Sequence, residues 1–320
     1  MTDPSSVSGM ILVDKPEGMT SFSVVSRIRR ILGIKKAGHA GTLDPFATGL
    51  LTIAVGKATR VLRYLENDGK TYRAVLALGK ITSTGDTEGE IVGGKMPEES
   101  ELSALSESGY QQVKEAVMSM VGEITQVPSA YSAIKIAGRP AYDYARKGQQ
   151  VEIPSRRVTI HSIEVHEILE EQGEILCDMT VSCSKGTYIR SLCEDIGGKL
   201  PWGGYCRSLR RLRCGAFSIE EAYTLEQLED MKEKGDLSFL LGEDVALSAL
   251  PSIEVTEKEA RDLRNGKKLA FSIFKDRMEN EAGMEMEKRV LARLGREPVA
   301  VIYAQETEEG ILIREERVFA

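Results

Sequence analysis

The chain has 320 residues, of which 42% are hydrophobic and 28% are charged, proportions that are ordinary for a globular protein. The formal net charge of -7 is unevenly spread, because residues 14–80 are rich in Lys and Arg and residues 215–260 are rich in acids. The five cysteines form no CxxC pair and the three histidines lack metal-ligand spacing, which argues against a disulfide framework or a zinc site.

The beginning of the chain indicates a cytoplasmic protein. Residues 1–9 have neither a basic start nor an apolar signal core, and we expect them to be a disordered leader. No apolar run reaches the length of a membrane span, so no membrane association is expected. The run MILVD (10–14) predicts a short buried strand. After Thr20, apolar residues recur with helical spacing as far as Gly33, which predicts an amphipathic helix with a basic outer face.

The run GHAGTLDPFATGL (38–50) holds a single acid, Asp44, among small, apolar and hydroxyl residues. Its glycines permit close backbone approach, and Pro45 restricts the backbone directly after the acid. The following LLTIAV (50–55) is typical of a buried strand. These residues leave two interpretations open: a reactive carboxylate on a tight loop, or an acid that merely caps a turn.

The middle of the chain alternates strands with polar connections. In KTYRAVLALG (70–79), period-two alternation places Tyr72 on the apolar face of a strand. Residues 80–109 look like an exposed connection to a helix near residues 111–120. Residues 126–157 mix Lys and Arg with tyrosines, a composition that suits RNA binding or, equally, an ordinary helical hairpin.

Two further strands are predicted at 158–168 and 174–183, followed by a helix that carries Arg190 in its first turn, off the apolar stripe. The run CRSLRRLRCGAF (206–217) brings four arginines together. We expect this cluster to be exposed and to face a polyanion. After about residue 250, short strands predict a small β-rich domain.

Four motifs in this order resemble those of the TruB-type tRNA pseudouridine synthases: ILVDKPEGMTS (11–21), GHAGTLDPFATGLL (38–51), KTYRAVLALG (70–79) and SKGTYIRSL (184–192). The resemblance implies an isomerase that converts uridine 55 in the T loop of tRNA to pseudouridine. It implies no cofactor and no metal. The implied partner is tRNA, held at its T arm and elbow, with no obligatory protein partner and a monomeric chain.

The resemblance also implies a fold and a domain order. The fold is an α/β (α+β) domain in residues 10–250, with a mixed, largely antiparallel sheet flanked by helices. Residues 126–157 resemble the family's RNA-gripping insertion, and residues 251–320 resemble weakly its small β-rich PUA-like domain. The stretch 271–296 departs from that pattern and is interpreted as an insertion.

Roles for individual residues follow from the same resemblance. Asp44 is implied to be the nucleophile, Arg190 to pair with it and keep it ionised, and Tyr72 to stack on the uracil. His39 is implied to occupy the space that a flipped uridine vacates. The other implied substrate contacts are Lys15, Leu209, Tyr188, Arg146, Lys147, Arg210 and Arg211. From the residues alone, Tyr72, Lys15 and Leu209 could equally be packing residues, and Arg190 a phosphate contact.

The chemistry needs one carboxylate. Pseudouridine formation breaks and remakes a glycosidic link without net oxidation, and a carboxylate can act as the nucleophile. The four motifs contain no second sheltered acid, which favours isomerisation over hydrolysis. The sequence does not decide whether Asp44 attacks the ribose C1′ or the uracil ring. Two alternatives stay open: an RNA-binding protein or tRNA folding factor without catalysis, and a synthase that acts on ribosomal or guide-directed RNA.

Overall fold

The computed structural model describes residues 7–65, 69–129, 131, 134–136, 138–141, 144, 149, 151–248, 250–280, 287–308 and 310–319. The chain divides into two compact units, Met1–Leu240 and Leu241–Ala320, and each is described by itself. Arg146 and Lys147, which the sequence predicts to contact RNA, lie outside the described residues. No helix in the described ranges is long and apolar enough to span a membrane.

A mixed sheet is the frame of the first unit. The described strands of the first unit are β1 (Gly9–Lys15), β2 (Ala37–Ala40), β3 (Thr48–Val55), β4 (Lys70–Leu78), β5 (Ile81–Thr82), β6 (Ile91–Gly93), β7 (Gly122–Gln126), β8 (Lys135–Ile136), β9 (Arg139–Pro140), β10 (Arg156–Glu171), β11 (Glu174–Cys183), β12 (Gly204–Cys214) and β13 (Phe217–Ser218). The main sheet has the order β1-β3-β12-β4-β11-β10-β7, with β2 beside β3 and β13 beside β12. The pairing of β3 with β12 is parallel, and the others in this sheet are antiparallel. The mixed, largely antiparallel sheet expected from the sequence is confirmed.

Helices cover this sheet: α1 (Ser21–Leu32), α2 (Leu62–Leu65), α3 (Glu99–Glu107), α4 (Gln111–Met118), α5 (Ile189–Gly198) and α6 (Leu225–Glu233). The hydroxyl of Thr20 accepts a hydrogen bond from the Ser23 N–H and caps α1, and Gly33 ends the helix with a φ of 68°. Val24, Val25, Ile28 and Leu32 are buried in the same core as the apolar stripe of α5. The predicted amphipathic helix is therefore confirmed.

Strand β4 lies near the centre of the sheet, between β12 and β11. Tyr72, Ala74 and Leu76 are buried on one face, whereas Arg73 on the other face is exposed and forms an ion pair with Asp178. The predicted alternation is confirmed. It places the Tyr72 side chain on the face that also carries the core.

Two predictions of exposure hold only in part. Thr82 and Asp86, in the connection after β4, are buried, because backbone hydrogen bonding of Cys206 N–H to Gly85 C=O ties this connection to β12. In the arginine cluster on β12, Arg211 is only 1% exposed. A strand points alternate side chains to opposite faces, so four arginines in one strand cannot all face the same polyanion.

The second unit is a small β-rich body, as predicted for the end of the chain. Its described strands β14 (Ser252–Glu254), β15 (Leu269–Ala270), β16 (Val290–Leu294), β17 (Glu297–Thr307) and β18 (Gly310–Val318) form a sheet in the order β14-β16-β17-β18-β15. The helices of this unit are α7 (Glu243–Leu247), α8 (Glu257–Arg264) and α9 (Lys275–Asn280). Phe274, Met278 and Val290 from the stretch 271–296 are fully buried in its core. That stretch therefore contributes to the packing of the unit.

Candidate active site

Asp44 lies in a tight turn between β2 and β3 that is fastened to the start of α1. The Ala47 N–H donates to the Asp44 carbonyl and closes the turn. The buried hydroxyl of Ser21 accepts from the Leu43 N–H and donates to the Leu43 carbonyl. The residue after Asp44 is held as well, since the Pro45 carbonyl accepts from the Gly18 N–H. The backbone on both sides of Asp44 is thereby fixed.

Lys15 also holds this turn in place. Its side chain is fully buried, and its ammonium donates to the carbonyls of Pro16, Met19 and Pro45 at 2.8, 2.6 and 3.1 Å. Burial lowers the pKa of Lys15 to about 8, although the nearby Asp44 carboxylate opposes that shift. Lys15 thus connects the turn after β1 to the loop that carries Asp44.

Arg190 lies between two carboxylates. Its Nε is 2.9 Å from Oδ2 of Asp44, and its Nη1 is 3.0 Å from Oδ2 of Asp86. Two backbone carbonyls accept further bonds, since Nη1 also donates to the Thr84 carbonyl and Nη2 to the Tyr131 carbonyl. The guanidinium is 4% exposed, so its orientation is fully determined by these partners.

Asp86 is a sheltered acid that the sequence motifs did not reveal. It is 2% exposed, and its Oδ1 accepts from the Thr84 hydroxyl and the Glu88 N–H. Asp86 lies outside the four motifs, so the folded site holds a second sheltered acid that the motifs themselves do not contain. Asp86 is nevertheless occupied by its hydrogen bonds and by Arg190, whereas one third of the Asp44 side chain is exposed to the cleft. The two acids differ in accessibility.

Burial is the largest influence on the charge of Asp44. It raises the pKa of that carboxyl, and the negative charge of Asp86 acts in the same direction. Arg190 and Lys15 oppose the shift without reversing it. Arg190 therefore favours the ionised form, as expected, but the pKa of Asp44 remains above its ordinary value. A carboxylate held in this way is less well solvated than a surface carboxylate, and so more reactive.

A pocket of about 320 Å³ opens beside Asp44 on the side of the sheet. Tyr72 from β4 and Leu209 and Arg211 from β12 form one wall, and Tyr188, just before α5, forms another. Arg211 donates to the Leu50 and Gly41 carbonyls, so it is part of the wall rather than a solvent-facing cation. Burial raises the pKa of Tyr72 to about 12, although the Arg211 charge opposes that shift. The Tyr72 hydroxyl therefore stays protonated at neutral pH.

The segment before α5 is fastened by a buried glutamine. Gln126 is fully buried, and its amide accepts from the Tyr188 N–H and donates to the Tyr188 carbonyl. Ser191 donates to the Val127 carbonyl one turn further on. The guanidinium carbon of Arg156 lies 5.4 Å from the centre of the Tyr188 ring. These contacts set the position of the helix that carries Arg190.

A second, larger cleft of about 650 Å³ meets the pocket at Asp44 and Arg190. His39 lines it together with Phe22, whose ring is 66% exposed. Within the described residues, the buried Nδ1 of His39 has no hydrogen-bond partner. Burial lowers the pKa of His39, and the charge of Arg211 acts in the same direction. The imidazole is therefore neutral at neutral pH.

The structure brings Asp44, Arg190, Tyr72, Leu209 and Tyr188 to one pocket and His39 to the adjoining cleft. Arg210 lies elsewhere, where it forms an ion pair with Asp14 at 2.6 Å. No cluster of three or more His, Cys, Asp or Glu side chains suited to a metal ion occurs in the described part of the chain.

The sequence motifs point to neither Asp86 nor Gln126, and Arg156 stands in the sequence only as one of several basic residues of the segment 126–157. A signal for Asp86 was present, because it lies in TSTGDTEGE, an acid among Gly and Thr much as Asp44 is. Gln126 gave no signal of its own, and nothing set Arg156 apart from the other basic residues of the segment 126–157. The contacts of Gln126 and Arg156 with Tyr188 depend on the pairing of β7 with β10, in which the two residues stand opposite each other.

Comparison with known proteins gives matches over most of the chain. Residues 29–189 match the family model of the TruB family pseudouridylate synthase N-terminal domain, and residues 190–247 match that of the tRNA pseudouridylate synthase B C-terminal domain. A tRNA pseudouridine synthase B of Arthrobacter sp. (strain FB24) is 43% identical over 82% of this chain and 83% of its own length. That of Syntrophotalea carbinolica is 42% identical over 88% of both.

A solved structure with the same fold is a chain in the crystal structure of a Cbf5-Nop10-Gar1 complex. It superposes with a TM-score of 0.71 at 30% identity, over 98% of this chain and 85% of that chain.

Proposed function

This chain belongs to the TruB family of pseudouridylate synthases and makes pseudouridine in tRNA, and from that premise we propose that its target is uridine 55 in the T loop, with Asp44 as the nucleophile. The observation that carries the proposal is the junction of the two cavities. There a carboxylate with a raised pKa, aimed by a buried guanidinium, is the reactive group presented to a nucleotide-sized pocket.

The pocket suits a single flipped nucleotide. A uridine inside a folded loop must leave its stack before an enzyme can reach C1′ or the ring. Tyr72 and Leu209 provide an aromatic and an aliphatic surface for the uracil, and the buried Tyr72 hydroxyl remains a hydrogen-bond donor because its pKa is about 12. A nucleotide that fills this pocket displaces water from the reacting atoms, which protects the intermediate from hydrolysis.

The larger cleft suits the rest of the loop. His39 is neutral, half-buried and aimed into this cleft, so its ring can occupy the space that the flipped uridine leaves. The exposed ring of Phe22 at the rim offers a stacking surface for a neighbouring base. In this arrangement the pocket holds the reacting nucleotide, and the larger cleft holds the loop from which that nucleotide came.

The reaction needs no redox partner. The N1–C1′ bond breaks, the uracil turns within the pocket, and a C5–C1′ bond forms. The hydrogen on C5 leaves as a proton, and N1 takes up a proton, so that the product is an isomer. Asp44 supplies the negative charge at the reacting nucleotide. Arg190 holds the carboxylate through Nε, and Asp86 holds Arg190 through Nη1, so that Asp86 acts on the reaction through Arg190.

The proposal extends to the RNA. The T arm is the part of the tRNA that the enzyme grips, with Arg146 and Lys147 of the segment 126–157 as phosphate contacts. Arg210 shares its charge with Asp14 and contributes less to that grip.

A tritium-release assay tests the catalytic proposal. The purified chain is incubated with unmodified T-arm RNA that carries tritium at C5 of its uridines, since the C5 hydrogen leaves during isomerisation. Wild type should release tritium, and Asp44→Asn should release none while still binding the RNA. Asp178→Asn is the matched control, because it makes the same chemical change at a half-buried carboxylate that pairs with Arg73 on the other face of the sheet. Its activity should equal that of wild type.

Two results would contradict the proposal: no release by wild type, or equal release by wild type and Asp44→Asn. Replacing uridine 55 by cytidine should abolish release. If tritium release continues, the proposed target position is wrong, although the chain still forms pseudouridine at another uridine.

A second candidate comes from the structural comparison, since that neighbour is part of a complex with Nop10 and Gar1. A chain of this type that needs protein partners and a guide RNA would be inactive alone. The assay on the isolated chain therefore separates the two candidates, and we expect release without any added partner.

A further inference from the structure

Arg156 is a cation at the pocket for which the mechanism above has no use. It is the first residue of β10, it is half-buried, and it lines the 320 Å³ pocket together with Asp44. Its guanidinium lies over the ring of Tyr188 and beside Gly186. A Cβ at Gly186 would lie 3.4 Å from Arg156 Nη1, so the guanidinium packs close to the backbone at Gly186.

The other guanidinium groups of the pocket are already committed. Arg190 pairs with Asp44 and Asp86, and Arg211 donates to two backbone carbonyls. Arg156 differs from both, because it forms no ion pair with any carboxylate of the described residues. Its contact with Tyr188 is of the cation–π kind, which restrains the guanidinium without consuming its N–H donors.

The support under Arg156 is rigid. Arg156 stands opposite Gln126 in the pairing of β10 with β7. Gln126 is fully buried and holds both the N–H and the carbonyl of Tyr188. The guanidinium is therefore restrained from two sides, through its own strand and through the ring on which it lies, close to the start of the helix that carries Arg190.

We propose that Arg156 binds a backbone phosphate of the RNA next to the target nucleotide and so positions that nucleotide in the pocket. The proposal deepens the function proposed above and rests on it. A nucleotide cannot enter the pocket without bringing its flanking phosphates to the rim, where each carries one negative charge. An arginine that is preoriented, and whose planar fork pairs with no carboxylate in the described part of the chain, is the side chain best suited to receive such a group. Phosphate contacts of this kind fix register rather than read sequence.

Substitution of Arg156 separates binding from chemistry. Arg156→Gln removes the charge and keeps most of the side-chain stem, and it should raise KM for T-arm RNA about 10-fold or more, as expected for the loss of a charge-assisted hydrogen bond. The turnover number should change little, because Asp44 and Arg190 are untouched. Arg156→Lys should recover part of the affinity. Arg73→Gln is the matched control: Arg73 adjoins Tyr72 in sequence but faces the other side of the sheet, where Asp178 neutralises it.

Neutral phosphate analogues then test the contact itself. T-arm RNAs carry one methylphosphonate, on either the 5′ or the 3′ side of the target uridine. For wild type, one of the two should raise KM about as much as Arg156→Gln does. For Arg156→Gln, the same methylphosphonate should add nothing, because the charge it removes has no partner left.

Three results would overturn the proposal: an unchanged KM for Arg156→Gln, a lowered turnover number with unchanged KM, or losses that add for both methylphosphonates. The second would mean that Arg156 only supports Tyr188 and α5. All three leave wild type active and Asp44→Asn inactive on unmodified RNA, whereas failure of the proposed function would leave wild type inactive or Asp44→Asn as active as wild type. The fluorescence melt of Trp202, the single tryptophan, should match wild type in each variant.

Discussion

The substitution Asp86→Asn should destabilise the first unit far more than the same change at Asp44. Both carboxylates pair with Arg190, but Asp86 is 2% exposed and Asp44 keeps one third of its side chain exposed. An asparagine at 86 can keep an oxygen toward Thr84 and the Glu88 N–H. Its amide nitrogen would then face Arg190 Nη1, so that two donors meet where an ion pair had been.

The magnitude follows from what Arg190 retains. Removing one partner of a buried ion pair costs about 3–5 kcal/mol. Arg190 keeps Asp44 and the carbonyls of Thr84 and Tyr131, so we expect the lower end, about 3 kcal/mol, for Asp86→Asn. For a unit of this size, that loss lowers the melting temperature by roughly 6–12 °C.

Asp44→Asn should behave differently. The pKa of Asp44 is raised in the folded state, so the fold disfavours the ionised carboxylate and gains little stability from it. With Asp44 neutral, Arg190 and Asp86 still form a balanced pair. The free energy of unfolding should therefore stay within about 1 kcal/mol of wild type. Asp44→Asn should be inactive but stable, and Asp86→Asn slow and unstable.

Trp202 fluorescence measures this difference. Trp202 is the only tryptophan and is 2% exposed in the first unit, so its emission shifts when that unit unfolds. The melts are compared with that of Asp178→Asn, a half-buried acid whose partner Arg73 is exposed, so that this change should cost little stability. Equal melting temperatures for Asp44→Asn and Asp86→Asn would refute the reasoning, because it rests on their unequal burial.

Two further predictions concern the loop that holds Asp44. Burial raises the pKa of Asp44, so kcat/KM should fall on acidification as Asp44 gains its proton, and this fall should come at a higher pH than for an exposed acid. Burial lowers the pKa of Lys15 to about 8, so kcat/KM should also fall above about pH 8 as Lys15 loses its proton. Lys15→Arg should remove the alkaline limb, and its persistence would assign that limb to another group. Gly49→Ala should destabilise by at least about 2 kcal/mol, because the added Cβ at φ +98° would lie 2.4 Å from the Arg211 carbonyl oxygen. In the same melting assay Gly33→Ala, which also has positive φ but meets open space, should cost only about 1 kcal/mol.

Much of the fold could be predicted from local pattern. The strand periodicity around Tyr72 and the cap and stop signals of α1 at Thr20 and Gly33 are properties of neighbouring residues, so sequence reveals them. The exposure of Arg211 on β12 was predicted wrongly for a definite reason. Burial depends on what lies across the strand, and Arg211 finds the carbonyls of Leu50 and Gly41 there.

The sequence by itself determined the chemical type of the site: an acid in a stiff Gly and Pro loop, accompanied by motifs that carry a tyrosine and an arginine. Only the tertiary structure decided how those groups act on one another. The parallel pairing of β3 with β12 and the anchoring of Gly85 to Cys206 place Asp44 and Asp86 on the two sides of Arg190. That arrangement brings together residues 44, 86 and 190, which lie far apart in the sequence. The pKa shifts of the site arise from burial, and burial is a property of the whole folded chain, which no single segment determines.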